Sequence, residues 1–167
     1  MEITRSTRLI IRTLDLDDAA FILELYNTEG FLRFISDRQI RNLRDAKAFL
    51  RLGPMKMYEK RGLGMYMVEL RDGSIPLGVC GLLQRDYLDD VDLGYGFLPG
   101  FQGSGYALEA AMATVAVAKS RFGLDKLLAI VDAQNERSIA LLLKLGMHFE
   151  KYQEQAPRLV SLYRLEL

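Results

Sequence analysis

Apolar and polar positions alternate with a period of two over residues 8–13, around Leu9 and Ile11, which predicts a first strand. A helix follows. Asp15 stands where an N-cap belongs, Asp18 three residues on completes a loose capping box, and Phe21, Ile22 and Leu25 make an apolar stripe leading to Tyr26. Residues 27–41 have no clear period and mix charges with aromatics, a composition that suits a substrate-facing loop and an ordinary packed connection equally. A second helix begins after Asn42 and runs toward Lys60, with a kink or break predicted at Gly53-Pro54, where proline removes a donor; Gly62 stops it. Residues 63–70 and 75–85 read as two strands joined by Arg71-Asp72-Gly73-Ser74, which carries the Asp-Gly signature of a hairpin turn. Residues 91–98 are their next antiparallel neighbour, so this half of the chain is a meander.

The second half changes pattern. A long alanine-rich helix starts near Ala107 with Leu108, Ala111, Met112, Val115, Ala118 and Phe122 on one face, and Gly123 follows in the position a C-terminal glycine prefers. Residues 126–132 form a buried strand, so strand, helix and strand make a crossover with a parallel pair. Asn135 starts a helix that ends at Gly146, and residues 147–154 and 159–167 supply the last two strands. The expected fold is α/β (an α+β mixed sheet) of about seven strands and four helices in one domain, residues 1–167.

Composition narrows the partners. Lys+Arg and Asp+Glu are equal at 22 each, so no global field favours nucleic acid or an anionic membrane. The start has no apolar leader segment and no run is long enough to span a bilayer, which predicts a soluble, cytoplasmic protein. The one cysteine, Cys80, lies in an apolar strand and reads as packing, and His148 is the single histidine, so no metal site is expected.

Between the fourth strand and the long helix lies Gln102-Gly103-Ser104-Gly105-Tyr106-Ala107. Two glycines around one small residue let the backbone turn tightly, and the helix start adds unpaired N–H groups and the positive end of its dipole. That combination suits a phosphate or pyrophosphate, although glycines alone fit a ligand-free loop as well. No lysine follows Gly105, which excludes a Walker loop, and Leu108 fills the slot where a Rossmann fingerprint needs a third small residue. The pattern Q/R-x-x-G-x-G/A, met by Gln102, Gly105 and Ala107, resembles the GNAT superfamily of acetyl-CoA-dependent N-acetyltransferases. Asp92-Leu-Gly-Tyr-Gly-Phe-Leu-Pro99, Asn135-Glu-Arg-Ser138 and Lys144-Leu-Gly146 extend the likeness. Thr7-Arg-Leu-Ile-Ile-Arg-Thr-Leu14 and the Asn-x-x-Ser element are similar to the ribosomal-protein N-acetyltransferase (RimL-like) branch.

The resemblance implies a GNAT-like sheet in which the strand before the cradle splays from the next, and the pantetheine arm of acetyl-CoA lies in the gap. It assigns cofactor binding to Tyr95, Phe97, Leu98, Gln102, Gly103, Ser104, Gly105, Tyr106, Ala107, Asn135 and Ser138. The implied reaction is direct attack of a primary amine, on a protein N-terminus or a small molecule, upon the acetyl thioester. An oxyanion donor would come from a backbone N–H near Tyr95 or Phe97. Asp92 falls where many relatives carry a glutamate base, with a solvent-facing strand-end carboxylate as the alternative, and Asp89, Asp90 and Glu29 are lesser candidates. Many relatives carry a tyrosine acid where Leu142 stands here; Ser138, one turn into the last helix, would instead hydrogen-bond the departing sulfur. Asn135 and Ser138 are equally ordinary at a helix start. A non-catalytic acyl-CoA-sensing module on the same fold, and either a monomer or a homodimer, fit the same residues.

Overall fold

The computed structural model describes residues 1–155 and 157–167. In chain order the elements are β1 (Glu2–Arg5), β2 (Leu9–Thr13), α1 (Ala19–Tyr26), α2 (Glu29–Phe34), α3 (Leu43–Leu50), α4 (Lys56–Arg61), β3 (Met65–Leu70), β4 (Pro76–Leu83), β5 (Asp92–Phe97), α5 (Tyr106–Ser120), β6 (Lys126–Asp132), α6 (Glu136–Lys144), β7 (His148–Gln155) and β8 (Arg158–Glu166). The strands make one mixed sheet in the order β1-β2-β3-β4-β5-β6-β8-β7. Every neighbouring pair is antiparallel except β5 and β6, the pair joined through the α5 crossover.

Period-two alternation sorts the core onto two faces. Met67 and Val79 point toward α1, α2 and α3, where they meet Phe21, Ile22, Leu25, Phe31 and Leu50. Tyr66, Val68, Cys80, Leu93 and Phe97 point the other way, onto Ala110 and Ala111 of α5. The α1 entry is tied to the sheet by charge. The Asp15–Asp18 capping box forms, and Arg12 of β2 pairs with Asp18 at 2.9 Å and with Glu69 of β3 at 3.1 Å.

The structure exceeds the expected count, with eight strands and six α-helices among the described residues. The added strand, β1, is short, charged and at the sheet edge, so its sequence has no buried face to betray it. Helix α2 lies in the stretch without period and buries Phe31 alone. At Gly53-Pro54 the helix is not broken: Arg51–Met55 widen into a π-turn around Pro54, and α3 continues into α4. Along α5 the buried stripe is Ala110, Ala111, Thr114, Val117 and Ala118, whereas Met112 is 60% exposed. An alanine-rich helix offers two overlapping apolar faces, and the one with the smaller side chains allows the closer approach to the sheet.

Helix α5 and β5 are held where they are by an approach of β4 that only glycine permits. A Cβ on Gly78 would run into the Gly96 carbonyl and come within 2.7 Å of the Phe97 ring. Gly78→Ala is therefore expected to lose roughly 2–3 kcal/mol in urea denaturation through overpacking. Gly100→Ala, at a position with open space, should stay within about 0.5 kcal/mol of the native protein. Equal stabilities for the two variants would show that β4 and β5 can part at little cost.

Candidate functional site

β5 follows β4 for six residue pairs, and β6 follows β8 for seven, but β5 and β6 match only at Asp92 and Leu128. Beyond that pair, sealed by Leu128 N–H donating to the Val91 carbonyl at 3.0 Å, the two strands diverge. The Leu98 N–H donates to the Leu77 carbonyl at 2.9 Å. Antiparallel alternation then turns the main-chain groups of Tyr95 and Phe97 away from β4 and into the gap. A cavity of about 640 Å³ runs through the opening. Ala107, Gln102, Asn135 and Ser138 line one end, and Tyr26, Phe31, Phe34 and Arg158 the other.

Where the gap meets α5, the chain forms the expected cradle. Gly103 and Gly105 hold φ of 84° and 81°, values that a side chain resists. Gly105 is the N-cap and no side chain caps it, so the first N–H groups of a fifteen-residue helix have no side-chain partner at the cap, the arrangement that suits an anion. The turn is braced from behind by Arg8, which donates to the Ser104 carbonyl at 3.0 Å, pairs with Glu109 at 2.7 Å and lies over the Tyr106 ring at 4.3 Å. In front, the Gln102 amide donates to the Phe97 carbonyl at 3.1 Å and its oxygen accepts from Arg137. Arg8 and Arg137 went unassigned in the sequence. The Thr7–Leu14 and Asn135–Ser138 segments contain them, but only folding brings Arg8 within reach of a turn about a hundred residues away.

Of the sequence candidates, Tyr95, Phe97, Gln102, Ala107, Asn135 and Ser138 line this cavity, and Gly103, Ser104, Gly105 and Tyr106 lie outside its lining, in the turn between Gln102 and Ala107. Leu98 stands apart. Its N–H is taken by Leu77, and its carbonyl accepts from Phe101 N–H at 3.0 Å, so its main chain has nothing left to offer a cofactor through those bonds. Asn135 caps α6 by accepting from Ser138 N–H at 3.3 Å. Ser138 Oγ lies 2.6 Å from the Tyr95 hydroxyl. Burial raises the Tyr95 hydroxyl well above its ordinary range, with the Ser138 hydrogen bond pulling the other way, so it stays a neutral donor. Leu142 is buried in the cavity wall. A phenol thus reaches the start of α6 from β5, a position that no local motif on α6 reveals.

Asp92 is neither at a solvent-facing strand end nor on the cavity surface. It has no exposed area, and both of its oxygens are 3.0 Å from Arg85 Nε. Burial pushes its carboxyl up to about 6, against the pull of the Arg85 guanidinium. Arg85 itself lines the cavity and reaches Tyr87 at 3.0 Å. Asp90 pairs with Lys126 at 3.1 Å, and Asp89, Asp90 and Glu29 all lie outside the cavity lining. Cys80 is buried against Thr114 Oγ1 at 3.4 Å, its thiol pushed up to about 12 by desolvation, which leaves it inert as a nucleophile. His148 is exposed at the start of β7. Among the described residues no cluster of His, Cys, Asp and Glu is arranged to hold a metal ion, and no helix is long and apolar enough to cross a membrane.

The chain is similar to known proteins. A model of the acetyltransferase (GNAT) domain matches residues 8–148. The uncharacterized N-acetyltransferase YoaA of Bacillus subtilis (strain 168) is 27% identical over 172 residues, spanning 98% of this chain and 96% of that protein. Among solved structures, RimL, a ribosomal L7/L12 alpha-N-protein acetyltransferase in complex with coenzyme A, superposes with a TM-score of 0.86 at 17% identity, covering 100% of this chain and 98% of that one. An acetyltransferase from Agrobacterium tumefaciens str. C58 gives 0.82 at 21% identity, covering 98% and 94%. At those identities the superpositions speak to the fold.

The Arg85–Asp92 pair makes a prediction about stability. Removing the guanidinium in Arg85→Ala leaves a buried carboxylate without a partner, expected to cost about 3 kcal/mol at pH 8. The folded-state value of Asp92 already lies above its ordinary 3.8, and losing Arg85 raises it further, so the native state binds the extra proton. Stability then falls as pH rises through and above about 6, and the variant should recover most of its loss at pH 5. Urea denaturation at the two pH values checks this, and an equal loss at both would mean that Asp92 is not the group left stranded.

Proposed function

Because this chain belongs to the GNAT acetyltransferase family, we propose that it moves the acetyl group of acetyl-CoA directly onto a primary amine. The observation that carries the reading is the opening between β5 and β6, whose free main-chain groups face a cavity running from Gln102 and Ala107, which flank the glycine turn, to an aromatic chamber. The cradle fits a pyrophosphate, with Arg137 beside it, and the gap fits an arm bearing amide groups that pair with the main chain of β5. Acetyl-CoA supplies the thioester, and all else is positioning and charge.

The N–H groups of Tyr95 and Phe97, turned into the gap, are placed to receive negative charge developing on the carbonyl oxygen. Ser138, backed by the neutral Tyr95 hydroxyl at 2.6 Å, donates toward the departing sulfur, with Tyr95 as the stronger acid behind a serine too weak to act alone. In this reading Tyr95 fills the part that Leu142 leaves vacant. Asn135 caps α6 and so fixes where Ser138 stands.

The sequence expectation of Asp92 as the base is revised here. With no exposed area and both oxygens on Arg85, Asp92 acts as a positioning residue that holds Arg85 at the cavity wall. The amine proton leaves to water instead. Arg38 and Arg158, neither paired with a carboxylate among the described residues, line the acceptor end, and that positive surround disfavours an ammonium and lowers the cost of the neutral nucleophile. An α-amino group, with a reference pKa of ~8, needs less help than a lysine at ~10.4, which favours an amino terminus or an amino acid over a side-chain amine. RimL, similar in fold, is an alpha-N-protein acetyltransferase, consistent with that preference.

Calorimetric titration of acetyl-CoA into the native protein and into Gly105→Val tests the cofactor site. Valine at φ of 81° both strains the turn and crowds Arg8, so binding should weaken at least about tenfold while circular dichroism shows the fold kept. Native protein that folds but does not bind would sink the reading. Amine-dependent thiol release tests the leaving-group assignment: Ser138→Ala and Tyr95→Phe should each lower kcat by about 10- to 100-fold with little change in acetyl-CoA affinity. Unchanged kcat in Tyr95→Phe would remove the phenol from the mechanism.

A further inference from the structure

The acceptor end of the cavity contains a cluster of polar groups that the acetyl-transfer chemistry does not use. Among the described residues four buried side-chain nitrogen or oxygen atoms have no hydrogen-bond partner, and three of them belong to Ser36, Gln155 and Arg158, all of which line this cavity. Gln155 and Arg158 are opposite one another at the end of the β7–β8 hairpin, so their side chains rise on the same face. Arg158 is fixed in place by one arm, Nη2 donating to the Leu32 carbonyl of α2 at 2.8 Å, which leaves Nη1 buried and unmatched. Ser36 follows α2 and adds a hydroxyl to the same lining.

Buried polar atoms are nearly always paired, and leaving one unpaired costs about 1–3 kcal/mol. The guanidinium and the amide nitrogen are donors only, so what completes them is a group that accepts. Charge points the same way. Arg85 is neutralised by Asp92, and Asp37, the carboxylate nearest in sequence to Ser36, is taken up by Arg41 at 2.6 Å. Arg38 and Arg158 have no carboxylate within ion-pair distance among the described residues. Asp132, the other carboxylate of the lining, accepts from the Gln134 N–H, so with Arg38 and Arg158 unpaired the balance of the chamber is positive, the opposite of what a polyamine or any polycationic amine would need.

We infer that Arg158 and Gln155, with Ser36, bind a carboxylate carried by the acceptor a few bonds from its amine. This rests on the acetyltransferase reading and names the substrate class for it. Two donors side by side match the two oxygens of a carboxylate. The carboxylate is either the α-carboxylate of a free amino acid or an acidic side chain just inside a peptide's amino terminus, and the aromatic walls of Tyr26, Phe31 and Phe34 accommodate the apolar part of either.

Binding of the acetylated product forms reads this without turnover. N-acetyl-L-alanine, -methionine, -phenylalanine and -glutamate are titrated calorimetrically against their primary amides. In a second arm N-acetyl-Ser-Asp-amide is titrated against N-acetyl-Ser-Asn-amide. At least one acid should bind tenfold or more tightly than its uncharged partner, and the arm in which it appears identifies the source of the carboxylate. Arg158→Gln should erase the preference, Arg158→Lys should keep part of it, and neither should alter acetyl-CoA affinity. No acid preference anywhere in the panel, no binding of any member, or a preference that survives Arg158→Gln overturns the inference. Acetyl-CoA titrated into the same samples reports separately on the reading beneath, whose failure leaves the acid-against-amide comparison standing.

Discussion

The structure turns on two neighbouring strands that stop pairing after one residue. A parallel ladder between β5 and β6 would have closed the sheet and satisfied their backbone. Instead each strand follows its other neighbour, β4 or β8, and the gap leaves amide groups exposed to a cavity. Unpaired backbone inside a protein is tolerated only where water or a ligand completes it. The same opening that costs the sheet its hydrogen bonds is where the proposed reaction would seat an extended, amide-bearing arm. The α5 dipole at one end and the aromatic chamber at the other would be unconnected surface features without it.

Rigid attachments hold that gap open. β4 approaches β5 through Gly78, Arg85 and Asp92 lock the base of the opening, and the Tyr95 side chain bridges from β5 to α6 through Ser138. Tyr95 packs both with the α5 core and with the α6 cluster, so one residue separates the layers and presents a hydroxyl at their junction. Its main chain and side chain serve different ends. The N–H faces the gap, while the phenol stands behind the serine.

Charge is distributed with similar economy. Most carboxylates near the site are committed to an arginine or lysine, Asp92 to Arg85, Asp37 to Arg41, Glu109 to Arg8 and Asp90 to Lys126, while Asp132 in the cavity lining accepts only from the Gln134 N–H among the described residues. Against that one carboxylate stand three lining arginines without one of their own among the described residues, Arg137 by the cradle and Arg38 with Arg158 in the chamber. A chain whose net charge is zero thereby has a channel that is not neutral, a property set by pairing in space that composition conceals.

The sequence by itself determined whatever depends on near neighbours along the chain. The capping box at Asp15, the Asp-Gly hairpin, the strand–helix–strand crossover and the glycine cradle each follow from spacings of a few residues, and folding keeps them. The family resemblance came from such segments in order. Only the tertiary structure decided the matters that depend on which surfaces meet. Asp92 and Arg85 are seven residues apart, yet the burial that makes them one ion pair comes from the packing around them. Tyr95 and Ser138 touch across 43 positions, and Arg8 reaches Glu109 across 101. Met112 turns outward on a helix whose periodicity allowed either face. Periodicity and propensity act over one or two turns, whereas burial and long-range pairing are settled by the packing of the whole sheet, and the charge and protonation of this site belong to the second kind.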